Sequence, residues 1–210
     1  MKFVLGKKLR MSEIFGESGE VSPMTLIEAG PIIVAQIKTK EKDGYNALQV
    51  GFGEKKWKSV KKSQKGALLK SLGKEKGLRW MREFRVSDED LKNYKVGDEI
   101  KVDVFKQGDL VKATGVSKGK GFQGGVKRWG MKGGPRTHGQ KHSEREIGSI
   151  GSIRTGKIRK GKRMPGRTGG KTITIKNLKV LLVDSEKNTL GLGGAVPGPT
   201  GGMVKIQSDR

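Results

Sequence analysis

The amino-acid sequence predicts a mainly β protein with a small α/β insert and a long irregular basic extension. Three observations support this prediction. Segments of alternating apolar and polar residues recur toward both ends of the chain, turn-forming residues separate them, and a central stretch combines many cations and glycines with few apolar residues. Alternation with a period of two is typical of half-buried strands. The length of 210 residues suits one globular domain with an elaboration, or two small domains.

Six segments alternate apolar and polar residues or are rich in β-branched side chains, and we predict each of them as a strand. Turn-forming residues lie between them, with Lys42-Asp43-Gly44 as one turn and Ser185–Asn188 as the loop of a hairpin that continues into Thr189–Leu192. Many short strands with such turns are typical of a small barrel. The predicted strands are Thr25–Ile27, Ile32–Lys38, Glu99–Phe105, Leu110–Thr114, Thr172–Lys176 and Val180–Asp184.

One helix is predicted over Ser63–Leu72. The expected buried face carries Leu68, Leu69 and Leu72, since residues three and four apart lie on one side of a helix. Gly73 follows directly and can end the helix in the left-handed conformation.

The order of these segments predicts a body built from both ends of the chain. A mixed insert separates the early strands from the later ones, and its Ser87–Asp90 segment has the pattern of a capping box that opens a short helical turn. The basic extension lies between two body strands. The predicted parts are a β-barrel body of residues 1–48, 96–116 and 172–210, an α/β insert of residues 49–95, and an extension of residues 117–171.

The charge of the chain is concentrated in the extension. The whole chain carries 45 Lys and Arg against 21 Asp and Glu, a net charge of +24. The segment Gly115–Lys171 contains 16 Lys and Arg, only Glu144 and Glu146 as acidic residues, and 16 of the 34 glycines, so its net charge is 16 − 2, or +14. Its ten apolar residues in 57 are too few to offset the entropy of ordering the segment alone. We therefore expect it to be disordered alone and to take its shape from a polyanion.

Composition also bears on the compartment. The chain has no Cys, which excludes disulfides and thiolate metal sites and fits a reducing cytoplasm. The longest apolar stretch, Thr25–Ala35, is broken by charge, glycine and proline and is shorter than the roughly 20 residues of a spanning helix, so a soluble protein is expected.

Several short patterns favour nucleotide or metal binding only weakly. Gly119–Gly124 matches a dinucleotide-binding glycine pattern, but the residues after it are unsuited to a long helix. Gly156–Lys162 begins like a phosphate-binding loop, but Arg163 stands where a hydroxyl should bind magnesium. His138 and His142 have the spacing of zinc ligands on a helix, yet glycines surround them and no Cys completes a site. We expect no cofactor and no metal.

The strongest signal is a basic, glycine-rich stretch that also carries aromatic side chains and two histidines. Cations bind phosphates, aromatic and guanidinium planes stack on exposed bases, and glycines allow the backbone to approach RNA closely. RNA is favoured over DNA because the stretch lacks the helical periodicity of a recognition helix. The predicted RNA-binding residues are Lys118, Lys120, Phe122, Lys127, Arg128, Trp129, Lys132, Arg136, His138, Lys141, His142, Arg145, Ser152, Arg154, Lys157, Arg159, Lys160, Lys162, Arg163 and Arg167.

Short motifs along the whole chain carry a family resemblance. The central motif runs from Phe105 to Arg128 through Gly115, Ser117, Gly119, Lys120, Gly121 and Gly124. The others are Gly6-Lys7-Lys8 with Met11 and Ile14-Phe15, Asp43-Gly44-Tyr45, Glu83-Phe84-Arg85, Thr137-His138-Gly139, Gly148-Ser149-Ile150-Gly151 and Gly194–Gly198. In these motifs the chain resembles the large-subunit ribosomal protein three family (universal ribosomal protein L-three) in its bacterial form.

The resemblance implies a six-stranded β-barrel of the translation-protein type on the surface of the large ribosomal subunit. It also implies an extension that passes through large-subunit rRNA toward the peptidyl transferase centre, early action in subunit assembly, and neighbouring ribosomal proteins in contact with the barrel. Some relatives carry a methylated glutamine where Ser152 stands, so that modification is not expected here.

Two other functions would require different sequence features. An rRNA-modifying enzyme would need a cofactor pocket or an acid–base set in the body, and the sequence shows neither. A general polyanion or membrane-surface binder would follow charge density and be indifferent to the fold of the RNA. We expect a structural rRNA-binding protein of the large subunit, with no membrane partner, no small-molecule substrate and no homo-oligomer.

Overall fold

The protein is described by a computed structural model covering residues 1–16, 19–72 and 77–208 of the chain. Strands dominate these residues, which confirms the prediction of a mainly β protein. The strands are β1 Phe3–Phe15, β2 Val21–Ala29, β3 Ile32–Lys38, β4 Ala47–Lys55, β5 Gly77–Arg85, β6 Glu99–Ile100, β7 Leu110–Val116, β8 Phe122–Gln123, β9 Gly166–Arg167, β10 Thr172–Asp184, β11 Thr189–Gly193 and β12 Met203–Ser208.

Helical segments are short. Three single 3-10 turns cover Trp57–Ser59, Val102–Val104 and Ile153–Thr155. In the described ranges, no helix combines the length and the apolar character needed to cross a membrane. The helices are α1 Lys40–Asp43, α2 Lys62–Leu72, α3 Asp88–Leu91 and α4 Gly125–Trp129.

The chain forms two compact units. The first contains Met1–Val116 together with Thr172–Arg210, and the second contains Ser117–Lys171. Within the first unit, β1, β12, β7, β10, β11 and β2 pair in that order and form a closed barrel of antiparallel strands. Both ends of the chain therefore build one sheet.

The interior of this sheet is filled by aliphatic side chains from alternate strand positions. In the register, Val4 lies opposite Ile206, and Ile206 lies opposite Ala113 of β7. All three are fully buried, because a strand that alternates its side chains presents every second residue to the core. Phe3 stacks on Phe84 with ring centroids 4.4 Å apart and joins the barrel to the rest of the core.

A second sheet of the first unit has the strand order β5, β4, β3 and β6. Leu68 of α2 is buried against one side of it, in a cluster with Ile33, Ala35, Val60 and Leu78. The strands β3 and β6 lie outside residues 49–95, so the second sheet draws on more of the chain than the predicted insert.

The predicted buried face of α2 is wrong in one residue, Leu69. Leu68 is buried and Leu72 is half-buried, but Leu69 is exposed. Neighbouring residues on a helix are about 100° apart, so a narrow contact with a sheet holds Leu68 and excludes Leu69. Gly73, the predicted cap, lies outside the described residues. The N-cap of the predicted capping box is confirmed, because the Ser87 hydroxyl accepts a hydrogen bond from the N–H of Asp90 at 3.3 Å; the Asp90 carboxylate accepts a hydrogen bond from this hydroxyl at 2.8 Å.

Two predicted strands are one strand in the structure. Thr172–Lys176 and Val180–Asp184 both belong to β10, whose pairing with β7 shifts in register between Ile175 and Leu178. Asn177 has φ of 57° at this irregularity. A bulge breaks the alternation without ending the strand. The predicted loop Ser185–Asn188 does connect β10 to β11.

The predicted strand Glu99–Phe105 is wrong over most of its length. Only Glu99–Ile100 pair with β3, and Val102–Val104 form a 3-10 turn in which the N–H of Phe105 donates to the carbonyl of Val102 at 2.9 Å. Ile100, Val102 and Phe105 are all buried. A regular strand would direct Val102 and Phe105 to opposite faces, whereas the turn places both in the core.

A polar network lies beside the second sheet. The Glu83 carboxylate accepts hydrogen bonds from the Lys38 ammonium at 2.8 Å and from the Tyr45 hydroxyl at 2.8 Å. The hydrogen bond from Lys38 and then that from Tyr45 hold the pKa of Glu83 below its ordinary value. The same contact with Glu83 raises the pKa of Lys38.

This network predicts sensitivity to acid. Because the pKa of Glu83 is lowered on folding, its stabilisation is present above the unfolded pKa of about 4.3 and is lost as the pH falls through the folded value. Glu83→Gln should reduce the free energy of unfolding by about 1 kcal/mol at pH 7 and by less at pH 3. Urea unfolding at both pH values measures this. Glu54→Gln, at an exposed carboxylate of β4, is the control and should change neither value. Equal losses of unfolding free energy at both pH values would contradict a stabilising role of the ionised Glu83 carboxylate.

Candidate nucleic-acid interface

The second unit, Ser117–Lys171, begins and ends with two antiparallel segments. The N–H of Ser117 donates to the carbonyl of Lys171 at 2.9 Å, and the N–H of Lys120 donates to the carbonyl of Thr168 at 2.9 Å. The pairing continues in β8 and β9, where Phe122 lies opposite Arg167. Main-chain hydrogen bonds therefore hold the two ends of the unit together.

Gly169 allows this close approach. Its φ is +74°, and a Cβ placed there would overlap the carbonyl oxygen of Lys118. Glycine tolerates this backbone conformation and leaves the space that the opposite segment occupies. Gly170 also has a positive φ of +64°, but a Cβ on it would contact nothing within 4 Å.

The short helix α4 is fastened to the returning segment by two side chains. Arg128 donates from Nη1 to the carbonyl of Met164 at 2.7 Å, and the Trp129 indole donates from Nε1 to the same carbonyl at 2.9 Å. The Arg128 guanidinium also lies 4.9 Å from the centre of the Trp129 ring, and that of Arg163 lies 5.9 Å from it. One carbonyl thus positions both a cation and an aromatic ring.

The middle of the unit has a second polar connection. Arg136 and Glu144 form an ion pair with Nε and Oε1 2.7 Å apart, and the N–H of Gly134 donates to the carbonyl of Glu144 at 2.9 Å. The Arg136 side chain is largely exposed, so this pair contributes little stability. Its effect is to offset part of the positive charge near Arg136.

The second unit has no apolar core. All of its residues are described, and the only buried one is Gly125. Phe122 is 76% exposed, Ile153 is 100% exposed, and Ile150 and Ile158 are also exposed. The unit carries sixteen Lys and Arg against Glu144 and Glu146, a net charge of +14. Backbone hydrogen bonds and a few side-chain contacts hold it. Most of its cations are exposed, as are five of its apolar side chains, whereas Val126, Met131, Ile147 and Met164 are half-buried.

The chain matches known proteins along almost its whole length. A family model described as Ribosomal protein L3 matches residues 86–207. The large ribosomal subunit protein uL3 of Pelotomaculum thermopropionicum is 47% identical over 206 residues, covering 98% of this chain and 96% of that protein. The uL3 proteins of a Geobacillus species and of Macrococcus caseolyticus are each 46% identical, covering 99% of this chain and 96% of their own length. The chain belongs to the ribosomal protein L3 family.

Membership of the L3 family decides two of the functional questions. The L3 family is one of structural ribosomal proteins, so the chain is not an enzyme, and the rival of an rRNA-modifying enzyme is excluded. The protein acts in the ribosome, which in bacteria lies in the cytoplasm.

In this L3-family chain, the structure presents the predicted rRNA-binding side chains outward. Arg128 is half-buried, and the other predicted residues of the second unit are exposed. Their exposure leaves them accessible, but contact with RNA stays a prediction. Arg128 and Trp129 each donate one N–H to the carbonyl of Met164, so their role includes shaping the unit.

His138 and His142 do not form the zinc site weighed from their spacing. Neither lies on a helix, and His138 has a φ of 58°. Within the described residues, no three His, Asp or Glu side chains are grouped closely enough to hold a metal ion. Both histidines are exposed beside neighbouring cations.

The role of Met164 could not be predicted from the amino-acid sequence of this family member. Its carbonyl accepts hydrogen bonds from residues 35 and 36 positions earlier in the chain. Backbone acceptors carry no side-chain signature, so a pattern of residue types cannot reveal such a contact. The neighbouring Gly166 is a weak signal, because a Cβ there would come within 2.6 Å of the Arg128 guanidinium.

The glycine contact at the base of the L3 extension is testable. Gly169→Ala should separate the two segments because its Cβ would displace the carbonyl of Lys118, and the amides of Lys120 and Thr168 should then exchange hydrogen at least about tenfold faster, equivalent to roughly 1.4 kcal/mol of local stability. Gly170→Ala is the matched control, since Gly170 also has a positive φ but a Cβ on it would overlap nothing. Amide hydrogen exchange on the full chain measures both variants. Equal exchange in the two would show that backbone strain, and not the close approach, explains the glycine.

Proposed function

We propose that this protein binds large-subunit rRNA through the second unit, Ser117–Lys171, supports early assembly of the subunit and shapes rRNA near the peptidyl transferase centre. In this proposal the first unit docks on the subunit surface with neighbouring ribosomal proteins. Its closed six-stranded sheet is then a barrel of the translation-protein type. The protein acts as a single copy, without a cofactor or a small-molecule substrate.

The observation that carries the proposal is the combination of high positive charge and missing core in the second unit. A segment with net charge +14 and no buried apolar side chain has little to oppose the repulsion among its cations. RNA phosphates supply the opposite charge along an irregular path. The segment and a folded RNA therefore complement each other.

The exposed apolar side chains of the unit favour RNA over a simple counterion. Phe122 and Ile153 project from the main chain between cations, and neither is covered by protein. Splayed bases and ribose faces offer apolar surface beside phosphates, and aromatic side chains stack on such bases. A polyanion without bases would leave these side chains in water.

The remaining rival is a general polyanion binder. It would use the same cations, but it would not need the main-chain arrangement that Gly169 and the Met164 carbonyl maintain. A specific binder must keep its preference for its own RNA as salt rises, whereas a polyanion binder loses affinity equally for all RNAs.

Charge removal in the second unit tests RNA binding. Replacing Lys157, Arg159, Lys160 and Lys162 by Gln removes four exposed cations. The slope of log affinity against log salt for a large-subunit rRNA transcript should fall by roughly 3, at ~0.7–0.9 for each phosphate contact. The measurement is a filter-binding titration at several salt concentrations, beside an unrelated structured RNA of equal length.

The matched control removes the same charge from the first unit. Lys40, Lys42, Lys101 and Lys187 are exposed there, and their replacement by Gln should leave the slope unchanged. Equal changes for the two quadruple variants, or equal affinity for both RNAs at high salt, would favour the general polyanion binder.

Deletion tests incorporation into the subunit. Removing Phe122–Arg163 leaves the core residues of the first unit in place and removes most of the exposed cations of the second unit. The shortened chain should no longer co-sediment with large subunits after a high-salt wash, while the full chain should remain bound. Normal incorporation of the shortened chain would refute the proposal that the extension anchors the protein.

A further inference from the structure

The hairpin of β1 and β2 continues beyond the strands that flank it. The strand β12 pairs with β1 only over Phe3–Lys7, and β11 pairs with β2 only over Met24–Glu28. Beyond these points Met11–Phe15 pairs with β2 alone, and Val21–Pro23 pairs with β1 apart from one hydrogen bond from the N–H of Gly194 to the carbonyl of Pro23 at 2.8 Å. We call Met11–Phe15 with Val21–Pro23 the ribbon. Among the described residues no third strand lies against it, and a two-stranded ribbon is only marginally stable in water by itself.

One face of the ribbon exposes large apolar side chains. Alternation along β1 directs Met11, Glu13 and Phe15 to the same side. Phe15 lies opposite Val21 in the register, and Glu13 lies opposite Pro23. Phe15 is 67% exposed, and Met11 and Val21 are each 54% exposed. Clustered exposed apolar residues of this kind mark interaction sites, and Phe and Met are enriched in the cores of protein interfaces.

The charge of the stretch that begins at Met11 is opposite to that of the whole chain. Residues 11–37 contain no Lys or Arg, which is the longest such stretch in a chain of net charge +24. Within residues 11–24 the charged side chains are Glu13, Glu17 and Glu20, so this stretch has a net charge of −3. Glu13 lies on the apolar face itself, and Glu20 precedes Val21 beside it; both are exposed.

The acidic side chains on this apolar face make RNA and a second copy of the chain poor partners for it and a cationic protein segment a good one. RNA phosphates would be repelled by Glu13 and Glu20, and binding to RNA requires cations that this stretch lacks. A symmetric contact with a second copy would place the same patch against itself and bring glutamates together. A protein segment with Lys or Arg between apolar side chains satisfies both the charge and the exposed apolar surface.

We propose that the ribbon face formed by Met11, Phe15 and Val21 is a docking site for an extended, cationic segment of another protein in the large subunit. Apolar side chains of that segment cover Phe15 and Val21, and its cations pair with Glu13 and Glu20. The inference rests on the proposed function, because it places the partner in the same subunit. It adds that this protein meets its surroundings through two chemically opposite surfaces.

Site-specific photo-crosslinking in assembled large subunits tests the docking site. One version of the full chain carries benzoylphenylalanine in place of Phe15, and a second carries it in place of the fully exposed Ile153 of the second unit. After irradiation, mass spectrometry identifies the crosslinked partner. The Phe15 position should crosslink to a segment of another protein in which Lys and Arg outnumber Asp and Glu. The Ile153 position should crosslink to rRNA.

Four results at the Phe15 position would overturn the docking site. They are a crosslink to rRNA, a crosslink within the same chain, a crosslink to a second copy, and no crosslink in subunits where the Ile153 position reacts. The Ile153 position separates the two proposals. If Ile153 does not reach rRNA, or the chain is absent from the subunits, the proposed function fails whatever the Phe15 position shows.

Charge reversal supplies the second measurement. Glu13→Lys with Glu20→Lys, in the chain carrying the crosslinker in place of Phe15, should lower the yield of the protein crosslink by about tenfold because like charges would meet across the contact. Glu41→Lys with Glu186→Lys changes the net charge equally at exposed positions away from the ribbon and should keep the yield. Equal yields for the two double variants would remove the role given to Glu13 and Glu20.

Discussion

Repulsion among exposed cations is the main force that the structure of the second unit has to withstand. Residues 117–171 carry a net charge of +14 and bury no apolar side chain, so the hydrophobic effect contributes little to their order. What remains is local: main-chain hydrogen bonds at the base, the carbonyl of Met164 and several glycines in left-handed conformations. These contacts restrict the path of the chain without neutralising its charge, which leaves an opposite charge as the complement that the unit requires.

The first unit supplies what the second lacks. Its interior is a continuous cluster of aliphatic and aromatic side chains, and its barrel is closed by strands from both ends of the chain. The strands β7 and β10 are neighbours, and Val116 lies opposite Thr172 in their register. The long excursion between these residues therefore starts and ends at paired positions, so the entropy of closing it is offset by a stable antiparallel ladder. The first unit thus has the apolar core that the second unit lacks.

Charge, like the apolar core, is distributed unevenly between different parts of the chain. The cations of the L3 extension contrast with the β1–β2 ribbon, where residues 11–37 contain no Lys or Arg and an exposed phenylalanine stands beside glutamates. Uniform positive charge would serve a protein whose only partner is RNA. Two surfaces of opposite charge match the two proposals, in which the extension binds RNA and the ribbon binds a cationic protein segment.

The sequence by itself determined the features that depend on local chemistry: the mainly β class, the hairpin loop Ser185–Asn188, the cap at Ser87, and the charge and exposure of the extension. Tertiary structure decided the rest. It continued β10 through the bulge at Asn177, turned Val102–Phe105 into the core, left Leu69 in solvent, and joined Arg128 and Trp129 to the carbonyl of Met164. Each of these outcomes depends on atoms distant in sequence, whereas period, capping and charge are properties of neighbouring residues.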